Sequence, residues 1–186
     1  MIRFENVTKS FDQKIIENLS FEIRSGERFL VYGKSGIGKT TLLNLLLGLE
    51  KVDSGNIYRD FSKASVIFQE NRLIEEISAF DNLKIVKNNP KLIEEILGNL
   101  NIDQIYNPVY KFSGGMKRRV AIARAIIFDG EILVMDEPFT GIDDDNKNTI
   151  INLIKERFAS KTIILVSHDK EDLANFDIPF ENVLYL

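Results

Sequence analysis

Residues Gly33–Thr40 read GKSGIGKT, and this stretch limits what the chain can become more than any other. It follows the short apolar run RFLVY and precedes KTTLLNLLLGL, whose apolar density is helical and which meets stops at Gly48 and Gly55. Glycines at Gly33, Gly36 and Gly38 let a backbone turn tightly enough for successive N–H groups to face one anion. Lys39 adds a mobile positive charge for β- and γ-phosphates, and the Thr40 hydroxyl is a hard oxygen suited to Mg²⁺. A glycine-rich turn that binds nothing is the alternative. The strand before it and the helix after it favour a phosphate loop.

The rest of the chain gives that loop an α/β setting. IRFENV and LSFEIR alternate apolar and polar residues as half-buried strands do, and ASVIF (Ala64–Phe68) reads as another strand. From about Asn71 to Phe128 the pattern turns helical: AFDNLKIV, PKLIEEILGNL with Pro90 in a first turn, and KFSGGMKRRVAIARAI. From Glu131 strands return. EILVM and KTIILVS are apolar, β-branched runs fit for a central parallel sheet, separated by a helix over about Asn146–Phe158, and ENVLYL reads as a last strand. At 186 residues the chain has the length of one domain with an inserted lobe.

Composition excludes several chemistries. With no cysteine there is no disulfide, zinc–thiolate or iron–sulfur site, and a net charge of −4 argues against wholesale nucleic-acid binding. No stretch reaches the ~18 apolar residues of a membrane span. The N-terminal MIRFENVTKS lacks the apolar core of a signal peptide.

Three further motifs carry chemistry. In LVMDEP, Asp136 ends a buried strand, where a carboxylate is costly unless it meets a cation, and Glu137 is placed to polarise an attacking water. The two acids could instead cap the following turn. His168, the only histidine, ends another strand; a lone histidine is often structural, but sites of open α/β sheets gather at strand C-termini. Finally, Ser113-Gly114-Gly115 opens a helix whose next turns hold Lys117, Arg118, Arg119 and Arg124, a pattern that reads as a second anion site.

In this order, GKSGIGKT, Gln69 in VIFQE, FSGGM, LVMDEP, TGID and His168 resemble the ATP-binding subunit of ATP-binding cassette (ABC) transporters over essentially the whole chain. The resemblance implies an α/β fold: a P-loop NTPase core, RecA-like, with a mostly parallel sheet and an N-terminal antiparallel β part, carrying an inserted α-helical subdomain. Residues 1–70 and 129–186 would form the core, and about 71–128 the helical subdomain with the signature motif. It also implies an Mg-dependent ATPase with ATP and Mg²⁺ as ligands. Phosphate and nucleotide contacts fall to Gly33, Lys34, Ser35, Gly36, Ile37, Gly38, Lys39, Thr40 and Thr41. Phe11 matches the aromatic that stacks on adenine, the alternative being a core aromatic. Thr40, Gln69 and Asp136 match the Mg²⁺ contacts, Glu137 the catalytic base and His168 the γ-phosphate sensor. Ser113, Gly114 and Gly115 would meet the ATP of a second cassette, and Asp143 belongs to the loop crossing that interface. One chain with one copy of each half must therefore dimerise, with itself or with another cassette.

The implied partners are that second cassette, membrane permease subunits docking near Gln69 and the helical subdomain, and an extracytoplasmic binding protein. No nucleic acid is expected. The implied location is cytoplasmic, peripheral on the inner face of the membrane. Met116 stands where many members have glutamine, and SGGM before RRVAIARA, together with FQENRLI, resembles the nitrate, sulfonate and taurine importer group. Glu75 and Glu76 then predict a permease with basic residues. Ending at Leu186, the chain is expected to lack a regulatory module in cis. A soluble cassette ATPase of iron–sulfur assembly, DNA repair or the ribosome would share the nucleotide motifs and is the alternative function.

Overall fold

The computed structural model describes residues 1–186, which form two compact units. Unit 1 comprises Met1–Ala64, Glu131–Asp136 and Ser160–Leu186; unit 2 comprises Ser65–Gly130 and Glu137–Ala159.

Unit 1 holds both kinds of sheet that the resemblance implies. β1 (Ile2–Ser10) pairs antiparallel with β2 (Lys14–Ile23) on one side and with β4 (Ser54–Arg59) on the other. Phe4 faces Phe21 across the ladder, their rings stacked at 4.5 Å, and Phe21 continues the stack to Phe29 at 5.6 Å. β3 (Arg28–Tyr32), β6 (Ile132–Asp136) and β7 (Thr162–Ser167) belong to a parallel sheet with β8 (Val183–Tyr185). The order is β5-β6-β7-β3-β8, where β5 (Ala64–Ile67) begins at the last residue of the first segment of unit 1. Every residue of β6 and β7 is buried, which explains their unbroken apolar runs: a central parallel strand is covered on both faces.

α1 (Lys39–Leu47) follows β3 and ends at Gly48 in a left-handed cap whose N–H reaches back to the carbonyls of Asn44 and Leu45. Gly55 is not a second helix stop; it lies in β4, a strand the sequence pattern hid because half-exposed SGNIYR has no apolar run. The Arg59 side chain of β4 donates to the carbonyls of Leu45 and Leu46, covering orphan acceptors at the end of α1.

Unit 2 is mainly helical. Ser78 caps α2 (Ala79–Lys84), accepting from the Asp81 amide, and Asn89 caps α3 (Pro90–Asn99), whose Pro90 needs no amide partner there. α4 (Gly114–Phe128) runs for 15 residues and packs with α2 and α3. α5 (Asp144–Arg157) starts behind Asp143, with acids in its first turn and Lys155 and Arg157 in its last, matching the helix dipole. Residues 137–159, grouped by the strand–helix alternation with the strand-rich part, belong to this unit. A short helix, α6 (Glu171–Asn175), belongs to unit 1 and has no periodic signal in the sequence.

No helix is long and apolar enough to cross a membrane.

Candidate nucleotide site

In unit 1 the phosphate loop, Asp136 and His168 share one edge of the parallel sheet. β3, β6 and β7 are in parallel register, with Tyr32 beside Ser167 and Asp136 beside Val166. The loops after the three strands therefore emerge at the same C-terminal edge, where ligands of open α/β sheets bind. α1 begins at Gly38, in a left-handed conformation with φ 112° and with no side chain capping the first amides. Those amides are left to an anion. A Cβ on Gly38 would lie 2.5 Å from Ile15 Cγ2, so both the backbone angle and the space demand glycine.

Lys39 is buried, and its ammonium donates to the carbonyls of Gly33 at 2.9 Å and Lys34 at 3.0 Å. The cation is thus folded over the loop that the phosphates would enter. Beside it the Thr40 hydroxyl donates to Asp136 Oδ2 at 2.7 Å. A hydroxyl and a buried carboxylate in contact form a hard oxygen pair of the kind Mg²⁺ takes, the remaining positions going to phosphate and water. No group of three acidic or histidine side chains is assembled anywhere to hold a metal alone. Mg²⁺ with a nucleotide therefore fits the donors present. Ser35, Gly36, Ile37 and Thr40 are exposed, and Thr41 is half-buried. His168 is exposed just past β7, its turn fixed by Ser167, which donates to Asp172 Oδ2 at 2.6 Å and accepts from the Asp169 amide.

Phe11 is 59% exposed, so it is no core aromatic. Its ring is approached by the Lys9 ammonium, 4.9 Å from the centroid. Lys9 is nearly buried and donates to Glu50 Oε1 and the Lys51 carbonyl, both at 2.9 Å. The hydrogen bond from Lys9 holds the Glu50 carboxyl below its ordinary value, and the same bond raises Lys9. No local pattern reveals this brace, because Lys9 lies more than 40 positions from Glu50 and Lys51.

Unit 2 carries Gln69, the Ser113 turn, Glu137 and Asp143. Ser113 is the N-cap of α4, its hydroxyl accepting from the Met116 amide at 3.2 Å, and Ser113 and Gly114 are exposed. Gly115 lies close to the loop that follows Glu137: a Cβ on it would come 3.0 Å from the Gly141 carbonyl. Asp143 caps α5, accepting from the Asn146 amide at 3.0 Å and from its side-chain amide; these bonds, the side-chain one first, lower its pKa.

The basic residues of α4 do not build the anion site expected of them. Arg119 donates to the carbonyls of Leu100 and Asn101, Arg124 to those of Asn71 and Arg72, and Lys117 pairs with Glu75 at 2.8 Å. They are internal braces, and any anion at this helix meets backbone amides and Ser113. The Lys117 pair also supplies Glu75 with a partner inside unit 2, so the expected demand for basic residues on a permease falls to Glu76.

Arg118 departs furthest from expectation. It is 3% exposed, and its guanidinium donates to the carbonyls of Pro138 (2.8 Å), Glu137 (2.9 Å), Phe68 (2.5 Å) and Gln69 (3.2 Å). Its position four before Ile122 and seven before Ala125, both buried, was the available signal: an arginine on an apolar helix face must find acceptors. Glu137 itself has φ 43°, a left-handed conformation costing a non-glycine residue about 1–2 kcal/mol.

Comparison with known proteins agrees with this arrangement. Residues 16–140 match the ABC transporter family. An ABC transporter ATP-binding protein of Mycoplasma genitalium is 37% identical over 181 residues, covering 83% of this chain and 58% of that protein. The spermidine/putrescine import ATP-binding protein PotA of Acetivibrio thermocellus is 37% identical over 194 residues, covering 92% and 55%. The chain thus spans a little over half the length of these curated relatives. Among solved structures, the dimeric post-hydrolysis state of the ATP-binding cassette MJ0796 bound to ADP and Pi superposes with a TM-score of 0.87 at 26% identity, over 100% of this chain and 94% of that one. With the phosphate loop, the Thr40–Asp136 pair and the Ser113-capped helix all in place, the chain belongs to the ABC transporter family as its ATP-binding domain.

Proposed function

We propose that this chain hydrolyses ATP to power a transporter, an importer, and that it does so as one of two cassettes sharing their nucleotides. The Thr40–Asp136 contact beside the buried Lys39 carries the reading, because an ammonium next to a hydroxyl–carboxylate pair suits a place where phosphate and a divalent ion meet. The importer assignment is supported by relatives named as import ATP-binding proteins. Residues 1–70 and 129–186 serve as the nucleotide-binding core and 71–128 as the helical subdomain, a division by role that assigns 65–70, 129–130 and 137–159 to the core although they fall in the second compact unit.

Each residue has a role in that scheme. Loop amides from Gly33 to Thr41 and the Lys39 ammonium bind the β- and γ-phosphates, and Phe11 stacks on the adenine. Thr40 and Asp136, with Gln69, hold Mg²⁺, which when bound neutralises charge on the phosphoryl oxygens. Glu137 accepts a hydrogen bond from the attacking water and aligns it with the γ-phosphate, while His168 contacts the same phosphate from the end of β7. Ser113, Gly114 and Gly115 present their amides and hydroxyl to the γ-phosphate held by the second cassette, and Asp143 lies in the loop facing that cassette. ATP binding therefore joins two chains, and loss of the γ-phosphate lets them part. Membrane permease subunits dock near Gln69 and the helical subdomain, on the cytoplasmic face, with an extracytoplasmic binding protein delivering substrate.

The decisive variant is Glu137→Gln, expected to bind ATP normally and to lose nearly all turnover. Its mass in solution, measured by light scattering, should double only with ATP. A variant that binds ATP yet stays monomeric would mean that the second half-site comes from a different cassette. Near-normal hydrolysis would remove Glu137 from the role of base.

A further inference from the structure

We infer that Arg118 is a positioning residue for hydrolysis: it fixes the backbone of Glu137 and ties it to the signature helix and to the Gln69 loop. The inference rests on the reading of Glu137 as the base. Three observations within unit 2 converge on it.

The first is strain. Glu137 sits at φ 43°, where a side chain with a Cβ does not rest unless its surroundings hold it. The conformation sets the direction in which the Glu137 side chain leaves the end of the strand. A residue free to relax would return to negative φ, and its carboxylate would swing away.

The second is the set of bonds on the Glu137 carbonyl. Arg118 donates to it at 2.9 Å, and the Thr140 hydroxyl at 3.2 Å. The same guanidinium holds the next carbonyl, Pro138, at 2.8 Å. Two successive carbonyls gripped by one planar, rigid fork define the local backbone in a way that a single ammonium could not.

The third is what else the fork holds. Through its other terminal nitrogen it reaches the carbonyls of Phe68 and Gln69 and, at 3.4 Å, Asn71 Oδ1. Arg118 is part of α4, whose first turn carries Ser113, Gly114 and Gly115. One buried cation thus joins the helix that would read the other cassette's phosphate, the loop that would touch Mg²⁺ and a permease, and the residue that would activate water. A shift of α4 would be passed to Glu137 through hydrogen bonds that do not stretch far without breaking.

Positioning through another residue differs from structural support in a measurable way. Two substitutions, Arg118→Met (which keeps an aliphatic stem and removes every donor) and Arg118→Lys, are made in the native chain and in Glu137→Gln. ATP affinity and single-turnover cleavage are then measured for all. The expected result is an ATP dissociation constant within about twofold of native and a cleavage rate about 100-fold lower for Arg118→Met, the scale of a small misplacement of a reacting group. Arg118→Lys should recover part of that loss. In the Glu137→Gln background the same substitutions should change the residual rate by less than about threefold, because the residue they act through is already disabled. Native cleavage in Arg118→Met overturns the inference. So does an equal fold-loss in both backgrounds, the mark of a merely structural role. If Arg118→Met does not fold, the lysine variant decides by the same two criteria. Full activity in Glu137→Gln alone would sink the reading of the base, a result separate from any outcome at Arg118.

Discussion

α1 and α4 both begin with glycine-rich turns, yet their first amides are prepared differently. α1 starts at Gly38, with no side chain on its amides and with Lys39 bonded to the loop's own carbonyls. α4 starts at Ser113, whose hydroxyl already accepts from the Met116 amide. The first end is open and charged, built to take an anion by itself. The second has one amide already taken, and its arginines are bonded to carbonyls inside unit 2. On the proposed function, the contrast lets two phosphate-reading ends coexist in one chain. Only the α1 end should bind a nucleotide alone; the α4 end adds to one already held.

The contrast can be broken by substitution. Removing the charge in Lys39→Ala should weaken ATP binding by about 10- to 100-fold, the scale of a charge-assisted hydrogen bond, as read by fluorescent-nucleotide titration. Ser113→Ala should leave that titration unchanged and abolish the ATP-driven dimer of the Glu137→Gln chain. Equal weakening of ATP binding by both would erase the distinction. Next comes a pair within the loop. Gly38→Ala meets Ile15 at 2.5 Å and φ 112°, while Gly36→Ala has open space and only an unfavourable φ of 79°. The second should cost about 1 kcal/mol in urea unfolding and the first clearly more. Ser113→Ala should itself cost about 1 kcal/mol as a lost cap.

The smallest effect concerns pH. The hydrogen bonds from Asn146 depress the Asp143 pKa, so the native state favours its ionised form. Its contribution is complete above the ordinary aspartate value of about 3.9 and fades as pH falls through the lower native value. Amide exchange at Asn146 should quicken over that acid range, and Asn146→Ala, which loses the side-chain donor and keeps the backbone one, should weaken the dependence.

How much of this was legible depended on whether the signal was local. The phosphate loop, Asp136 and the runs of β6 and β7 could be read because one strand or one turn contains the whole cue. β4 could not, since a half-exposed strand with glycine second in line looks like a loop. The basic turns of α4 were misread for a related reason. Four cations near a helix start suggest an anion, but Lys117 pairs with Glu75 and the three arginines donate to carbonyls at positions 68, 69, 71, 72, 100, 101, 137 and 138, which no local pattern reveals. Lys9 likewise meets Glu50 only in the folded chain.

The order of strands in the parallel sheet bears on how the protein is made. β3, which delivers the phosphate loop, is flanked by β7 and β8, and both lie in the last 25 residues. Leu30 pairs with Leu165 and with Val183, and the Leu186 amide donates to the Tyr32 carbonyl. A ribosome therefore releases Gly33–Thr40 more than 120 residues before the strands that flank β3. During synthesis the glycine-rich loop is tethered to a strand with neither neighbour, while the helices of unit 2 can already form from contacts close in sequence. The two neighbours of β3 are thus in place only after Val183 has been made, long after the glycine-rich loop itself.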